Sequence, residues 1–106
     1  MKIKIFTHNI DGNHILYANE KKREVVLLDT KETSYDVDRF VYKITDMVSN
    51  WPNELEDQLV IDGQEFKIII KNHDEEVMFR FVNKFPEDIY KLQDIINEIL
   101  KENLND

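Results

Sequence analysis

Hydrophobic and polar positions alternate most cleanly between Leu59 and Val82. Phe66, Ile68 and Ile70 fall on one face of a first arm, and Val77, Phe79 and Phe81 on one face of a second, because successive strand side chains point to opposite sides. The polar stretch Asn72 to Glu75 between them completes a β-hairpin signature. That turn sets Ile70 against Val77, Ile68 against Phe79 and Phe66 against Phe81. A one-residue slip would drive Lys67, Lys71 and Arg80 into the core, so the register is well specified. The other face carries Lys67, Ile69 and Lys71 opposite Met78, Arg80 and Val82. There Lys71 meets Glu76, but Ile69 meets Met78 on a side that should be wet. Either these are scattered surface hydrophobes, which are common, or they belong to an interface.

The rest of the chain reads in the same way. Lys2 to Thr7 alternates, with Ile3 and Ile5 on one face. Asp11-Gly12 marks a turn, and His14 to Ala18 is a short run with Ile15 and Tyr17 on one face. Glu20 to Arg23 is a charged turn. Glu24 to Asp29 follows as a strand apolar on both faces, as in a central or covered strand. Thr30 to Tyr35 is a loop, and a helix begins near Asp36. Thr33 and Asp36 resemble a capping box, with Asp36 and Asp38 at the positive end of the dipole. Val37, Phe40, Val41, Ile44, Met47, Val48 and Trp51 form one helical stripe, which Pro52 ends. Asn53 to Gln58 is an acidic connector. Phe85-Pro86 opens the last helix, whose stripe is Ile89, Leu92, Ile95, Ile96, Ile99 and Leu100, with Leu104 as its extension.

This order predicts an α+β fold, a two-layer sandwich over residues 1–106. A mostly antiparallel sheet of four to five strands packs one face against both helices. The expected core is Ile3, Ile5, Phe40, Val41, Ile44, Val48, Phe66, Ile68, Ile70, Val77, Phe79, Phe81, Leu92, Ile96 and Ile99. Ile10-Asp11-Gly12 recurs as Ile61-Asp62-Gly63, and at the same offset Val26 matches Val77 and Ile44 matches Ile95. The rhythm is β-hairpin then helix, twice.

Composition narrows the chemistry. At 106 residues the chain is one domain with room for a core. It has no cysteine, hence no disulfide framework or thiolate metal site. Met1 to Phe6 lacks a continuous apolar run, so a secretory leader is not expected, and no stretch is long and apolar enough to span a bilayer. The expected compartment is the cytoplasm. The formal charge of −8 argues against nucleic acid and favours basic partners. A single alanine among abundant Ile, Lys, Asn, Asp and Glu is the usage of an AT-rich bacterial or phage genome.

Catalytic constellations are thin. His8, His14 and His73 lack metal-ligand spacing, although His8 and His14 flank Asp11. Neither Ser34 nor Ser49 sits in a nucleophile elbow. Two glycines cannot make a phosphate loop. Lys21-Lys22-Arg23 is the only basic cluster expected; with Tyr17 nearby it could touch phosphates, but it reads as a charged turn. No cofactor or metal is expected, and the chain reads as a non-enzyme.

Acidic residues lie off both apolar stripes, at Asp36, Asp38 and Asp46, at Glu87, Asp88 and Asp94, and at Glu98 and Glu102, while Glu54, Glu56 and Asp57 fill the connector. They are either solvated helix backs or a docking surface for a basic protein partner. Trp51 beside that connector either anchors a partner or closes the core. In layout, the Asp62-Gly63 and Phe66 hairpin before a terminal helix resembles small bacterial inhibitor and immunity proteins, including the emfourin-type protease inhibitors. That resemblance implies no residue roles.

The first functional expectation is a protein-binding module, inhibitor-, immunity- or adaptor-like. It uses Ile69, Met78, Val82, Trp51, Glu54, Glu56 and Asp57. The alternatives are a homo-oligomer, as a homodimer through the open sheet face, and a small enzyme without a recognisable motif.

Overall fold

The computed structural model describes residues 1–8, 13–28, 31–57 and 64–104. The elements are β1 Lys2–His8, β2 Asn13–Asn19, β3 Glu24–Leu27, β4 Lys31–Thr33, α1 Val37–Val48, β5 Glu54–Glu56, β6 Glu65–Asn72, β7 Glu75–Val82 and α2 Tyr90–Leu104. Among the described residues, seven strands form one open sheet in the order β4-β3-β2-β1-β6-β7-β5. Neighbours are antiparallel except β5, which runs parallel to β7. The fold is α+β with a mixed seven-stranded sheet, which corrects the expected four to five strands. The unanticipated strands are β4 and β5, reading Lys-Glu-Thr and Glu-Leu-Glu. Each is too short and polar to announce itself and exists through pairing with β3 or β7. Both occupy sheet edges, where short charged strands discourage pairing with other chains.

The β6–β7 register is the expected one, with Ile70, Ile68 and Phe66 opposite Val77, Phe79 and Phe81. β1 lies at the sheet centre between β2 and β6. Its register with β2 slips between Ile5, paired with Leu16, and Phe6, paired with His14. Ile15 is therefore the extra residue of a β-bulge. The bulge buries Leu16 and Ala18, leaves Ile15 packed at the core margin, and turns Tyr17 to the other face. Simple alternation had placed Ile15 and Tyr17 together.

Helix α1 links the two sheet edges, entering from β4 and leaving into β5. Asp36 caps it, its carboxylate accepting the Asp38 amide at 2.9 Å. Thr33 instead donates to the Val25 carbonyl. Val37, Phe40, Ile44, Met47, Val48 and Trp51 are buried, together with Leu92, Ile95 and Ile99 of α2 and the inward strand positions, in one cluster. Regular α2 starts at Tyr90; Pro86 opens a tighter turn in which the Ile89 amide donates to its carbonyl at 3.1 Å. Four expected core positions differ. Val77 is 42% exposed, and Ile70, Val41 and Ile96 are half-buried. Ile70 and Val77 form the inward pair nearest the hairpin turn, and Val41 and Ile96 lie at the margins of the helical stripes.

The repeated hairpin–helix rhythm is looser than expected. The first helix follows a four-stranded meander, and the second follows a hairpin preceded by a parallel edge strand. The triplets Ile10 to Gly12 and Ile61 to Gly63 lie outside the described residues.

Candidate functional site

Burial of one set of alternate strand positions leaves the other set on a face away from the helices. Register carries side chains of that face across the sheet in rows. One row runs Val26, Tyr17, Lys4, Ile69, Met78. Beside it lies Asn19, Lys2, Lys71, Glu76. On its other flank lie Phe6, Lys67, Arg80 and Glu54, and then Glu65, Val82 and Glu56.

Five of the residues singled out from the sequence share this face: Ile69, Met78, Val82, Glu54 and Glu56. Ile69 and Met78 are direct cross-strand partners, and Met78 is 47% exposed. Val82 stands apart, next to Glu56, separated by the Lys67–Arg80 row. Arg80 is held there by Glu65 at 2.9 Å and Glu54 at 3.5 Å. Asp57 sits beyond β5, its amide donating to the Val82 carbonyl at 2.9 Å.

Trp51 is elsewhere. Only 8% exposed, it closes the core at the end of α1. Its ring meets Phe81 edge-on with centroids 5.6 Å apart, and its Nε1–H donates to Asp88 at 2.6 Å. That donation is the main reason the Asp88 carboxyl sits below its ordinary range. Of the two roles weighed for Trp51, its burial matches the core-closing one.

The acidic helix residues are largely engaged within the chain. Asp38 takes a bidentate pair from Arg23 at 2.7 and 3.0 Å. Glu98 of α2 accepts from Lys43 and Arg39 of α1, and Glu102 accepts from Arg39 at 3.0 Å. The Lys43 ammonium, followed by Arg39, holds the Glu98 carboxyl below its ordinary range. Under this seam Tyr35 is buried, with the Arg39 guanidinium 5.3 Å from its ring centroid. Burial pushes the Tyr35 phenol up.

Two concavities stand out among the described residues. A cavity of about 280 Å³ between α2 and the core side of the sheet is lined by Ile15, Phe66, Phe85, Ile89 and Ile96 with a few polar groups. Among the described residues its lining holds no histidine, carboxylate or lysine. The second, of about 210 Å³, opens on the helix-free face and is lined by Lys2, Lys4, Tyr17, Ile69, Lys71 and Glu76. Sequence reasoning missed this lysine group. Its signal was the alternate pair Lys2 and Lys4 at the start of β1, which pairing with β6 brings to Lys71. No group of three or more His, Asp or Glu among the described residues is placed to hold a metal ion. No described helix is long and apolar enough to cross a membrane. No protein-family model, curated protein or solved structure matches the chain.

Proposed function

We propose that this chain is a small, acidic, non-enzymatic binding module of bacterial or phage origin. It docks a protein partner in the cytoplasm through the helix-free face of its sheet, without a cofactor. The observation that carries this reading is the row Val26, Tyr17, Ile69 and Met78, interrupted only by Lys4. Apolar side chains aligned across several strands offer the apolar centre that protein interfaces use, with a polar rim around it. Val82 and Glu56 belong to that rim. A homodimer through this face is less favoured by charge. A two-fold contact sets a patch against itself, so Lys2, Lys4 and Lys71 would approach their own copies.

The test is a binary complex between this chain and a purified partner first identified by capture. Ile69→Lys with Met78→Glu is expected to weaken that complex by about tenfold or more, about 1.4 kcal/mol, with the near-UV dichroism of the fold retained. An unweakened complex overturns the docking face. A wild-type dimer by light scattering, dispersed by the same pair, replaces the foreign partner with a second copy.

A further inference from the structure

We propose that the cleft at the centre of the open sheet face recognises carboxylates on an acidic, apolar-rich peptide segment of the partner. This rests on the docking face above and names the partner's chemistry. The cleft, about 210 Å³, is lined by Lys2, Lys4, Lys71, Tyr17, Ile69 and Glu76. Three lysines against one glutamate make it positive, in a chain whose formal charge is −8.

The lysines are placed at a cost to the fold. Lys2 lies directly opposite Lys71 in the β1–β6 ladder, and Lys4 follows on the same face. Like charges directly opposite one another destabilise a sheet. Acidic residues were abundant enough to neutralise them, at 22 against 14 basic ones. Six other cations, Arg23, Arg39, Lys43, Lys67, Arg80 and Lys91, sit in ion pairs, whereas Lys21, Lys22, Lys31, Lys84 and Lys101 have none among the described residues but do not share this cleft. Among the described residues Lys2, Lys4 and Lys71 have none within 4.0 Å, although Glu76 faces Lys71 across the strands. Unpaired cations clustered where they repel one another are arranged for an anion from outside.

The surroundings select the kind of anion. Tyr17 accepts a hydrogen bond from Asn19 Nδ2 at 3.1 Å, which leaves its own hydroxyl proton to donate. Ile69 lines the cleft, and Met78 and Val26 continue its row, giving apolar contact beside the charge. A nucleic acid backbone needs a track of free cations. Here the track stops, because Lys67 and Arg80 in the next row are neutralised by Glu65 and Glu54. A short segment mixing carboxylates with apolar side chains satisfies both parts of the surface.

The probe is a fluorescein-labelled peptide of alternating Glu and Phe, about twelve residues or about 40 Å when extended. Its Gln-for-Glu counterpart and an oligothymidylate of equal length serve as comparisons, all read by anisotropy. Saturable binding of the Glu peptide is expected. It should weaken by about tenfold for the Gln counterpart and for Lys4→Gln with Lys71→Gln, and further as salt rises. Lys2→Glu separates function from structure: it should raise the thermal midpoint by relieving the Lys2–Lys71 repulsion while weakening the peptide. Equal binding of the Gln peptide, unchanged affinity in the lysine variants, tighter binding of the oligothymidylate, or no saturation by about 1 mM overturns the proposal. If the peptide fails while Ile69→Lys with Met78→Glu still disrupts the reconstituted complex, the docking face stands and the anion site falls.

Discussion

Leu28 and Tyr35 hold a conformation and an environment that their side chains do not favour. Leu28 has φ of 54° at the end of β3 and is 60% exposed, while its amide donates to the Ile15 carbonyl at 2.9 Å. The left-handed region costs a side chain with Cβ roughly 1–2 kcal/mol, and glycine does not pay it. Leu28→Gly keeps the amide donor and is expected to stabilise the fold by about 0.5–1 kcal/mol in urea unfolding. A loss of stability would show that the Leu28 side chain contributes more than its backbone costs. Tyr35 presents the opposite case. Its ring belongs in the core, edge-on to Phe40 at 6.5 Å, but its buried hydroxyl, near the Lys43–Glu98 pair, makes no well-formed hydrogen bond among the described residues. A buried unsatisfied polar group costs about 1–3 kcal/mol. Tyr35→Phe is expected to raise the thermal midpoint, and a lower midpoint would mean that the hydroxyl is satisfied in solution.

At the scale of elements, what could be read from the sequence was what local pattern alone decides. The β6–β7 hairpin came through to the residue, including the outward Ile69–Met78 and Lys71–Glu76 pairs, because two faces of opposite character permit one register. The α1 stripe came through from Val37 to Trp51 with Val41 at its margin, because the 3.6-residue period is long and unbroken. β4 and β5 did not, because three residues, polar but for Leu55, are too few to carry a period and owe their structure to pairing with β3 and β7. The lysine cleft was hidden for the same reason: Lys2 and Lys4 meet Lys71 only through the β1–β6 pairing. Burial along one strand face also varies in a way that alternation cannot foresee. Phe79 is buried and Val77, two residues nearer the turn, is 42% exposed. Phe79→Ala is therefore expected to cost about 3–5 kcal/mol and Val77→Thr under about 0.5 kcal/mol in denaturant unfolding. Comparable costs at the two positions would mean that Val77 is covered in solution, as it would be in an oligomer.

For the whole molecule, the carboxylates engaged on and beside the helices set its response to acid. Three carboxylates on or beside the helices are tied to cations or donors: Glu98 to Lys43 and Arg39, Asp38 to Arg23, Asp88 to Trp51. Each is held below its ordinary range, with those hydrogen bonds as the leading cause. A carboxyl depressed in the folded state binds protons more weakly there than in the unfolded chain, so falling pH favours unfolding. Its contribution is complete above the ordinary carboxylate range and disappears as pH drops through the folded value. The thermal midpoint should therefore be nearly level from about pH 7 to 5 with respect to these groups and fall steeply below about pH 4. Glu98 is the most informative of the three because it joins α1 to α2 and is the least exposed of the seam's charged groups. Glu98→Gln should lower the midpoint at neutral pH and make the acid limb shallower, since one linked proton has been removed. An acid limb of unchanged slope in Glu98→Gln would show that the helix seam does not govern acid unfolding. The stability lost would then have to come from the other carboxyls held below their ordinary range, Asp38 and Asp88.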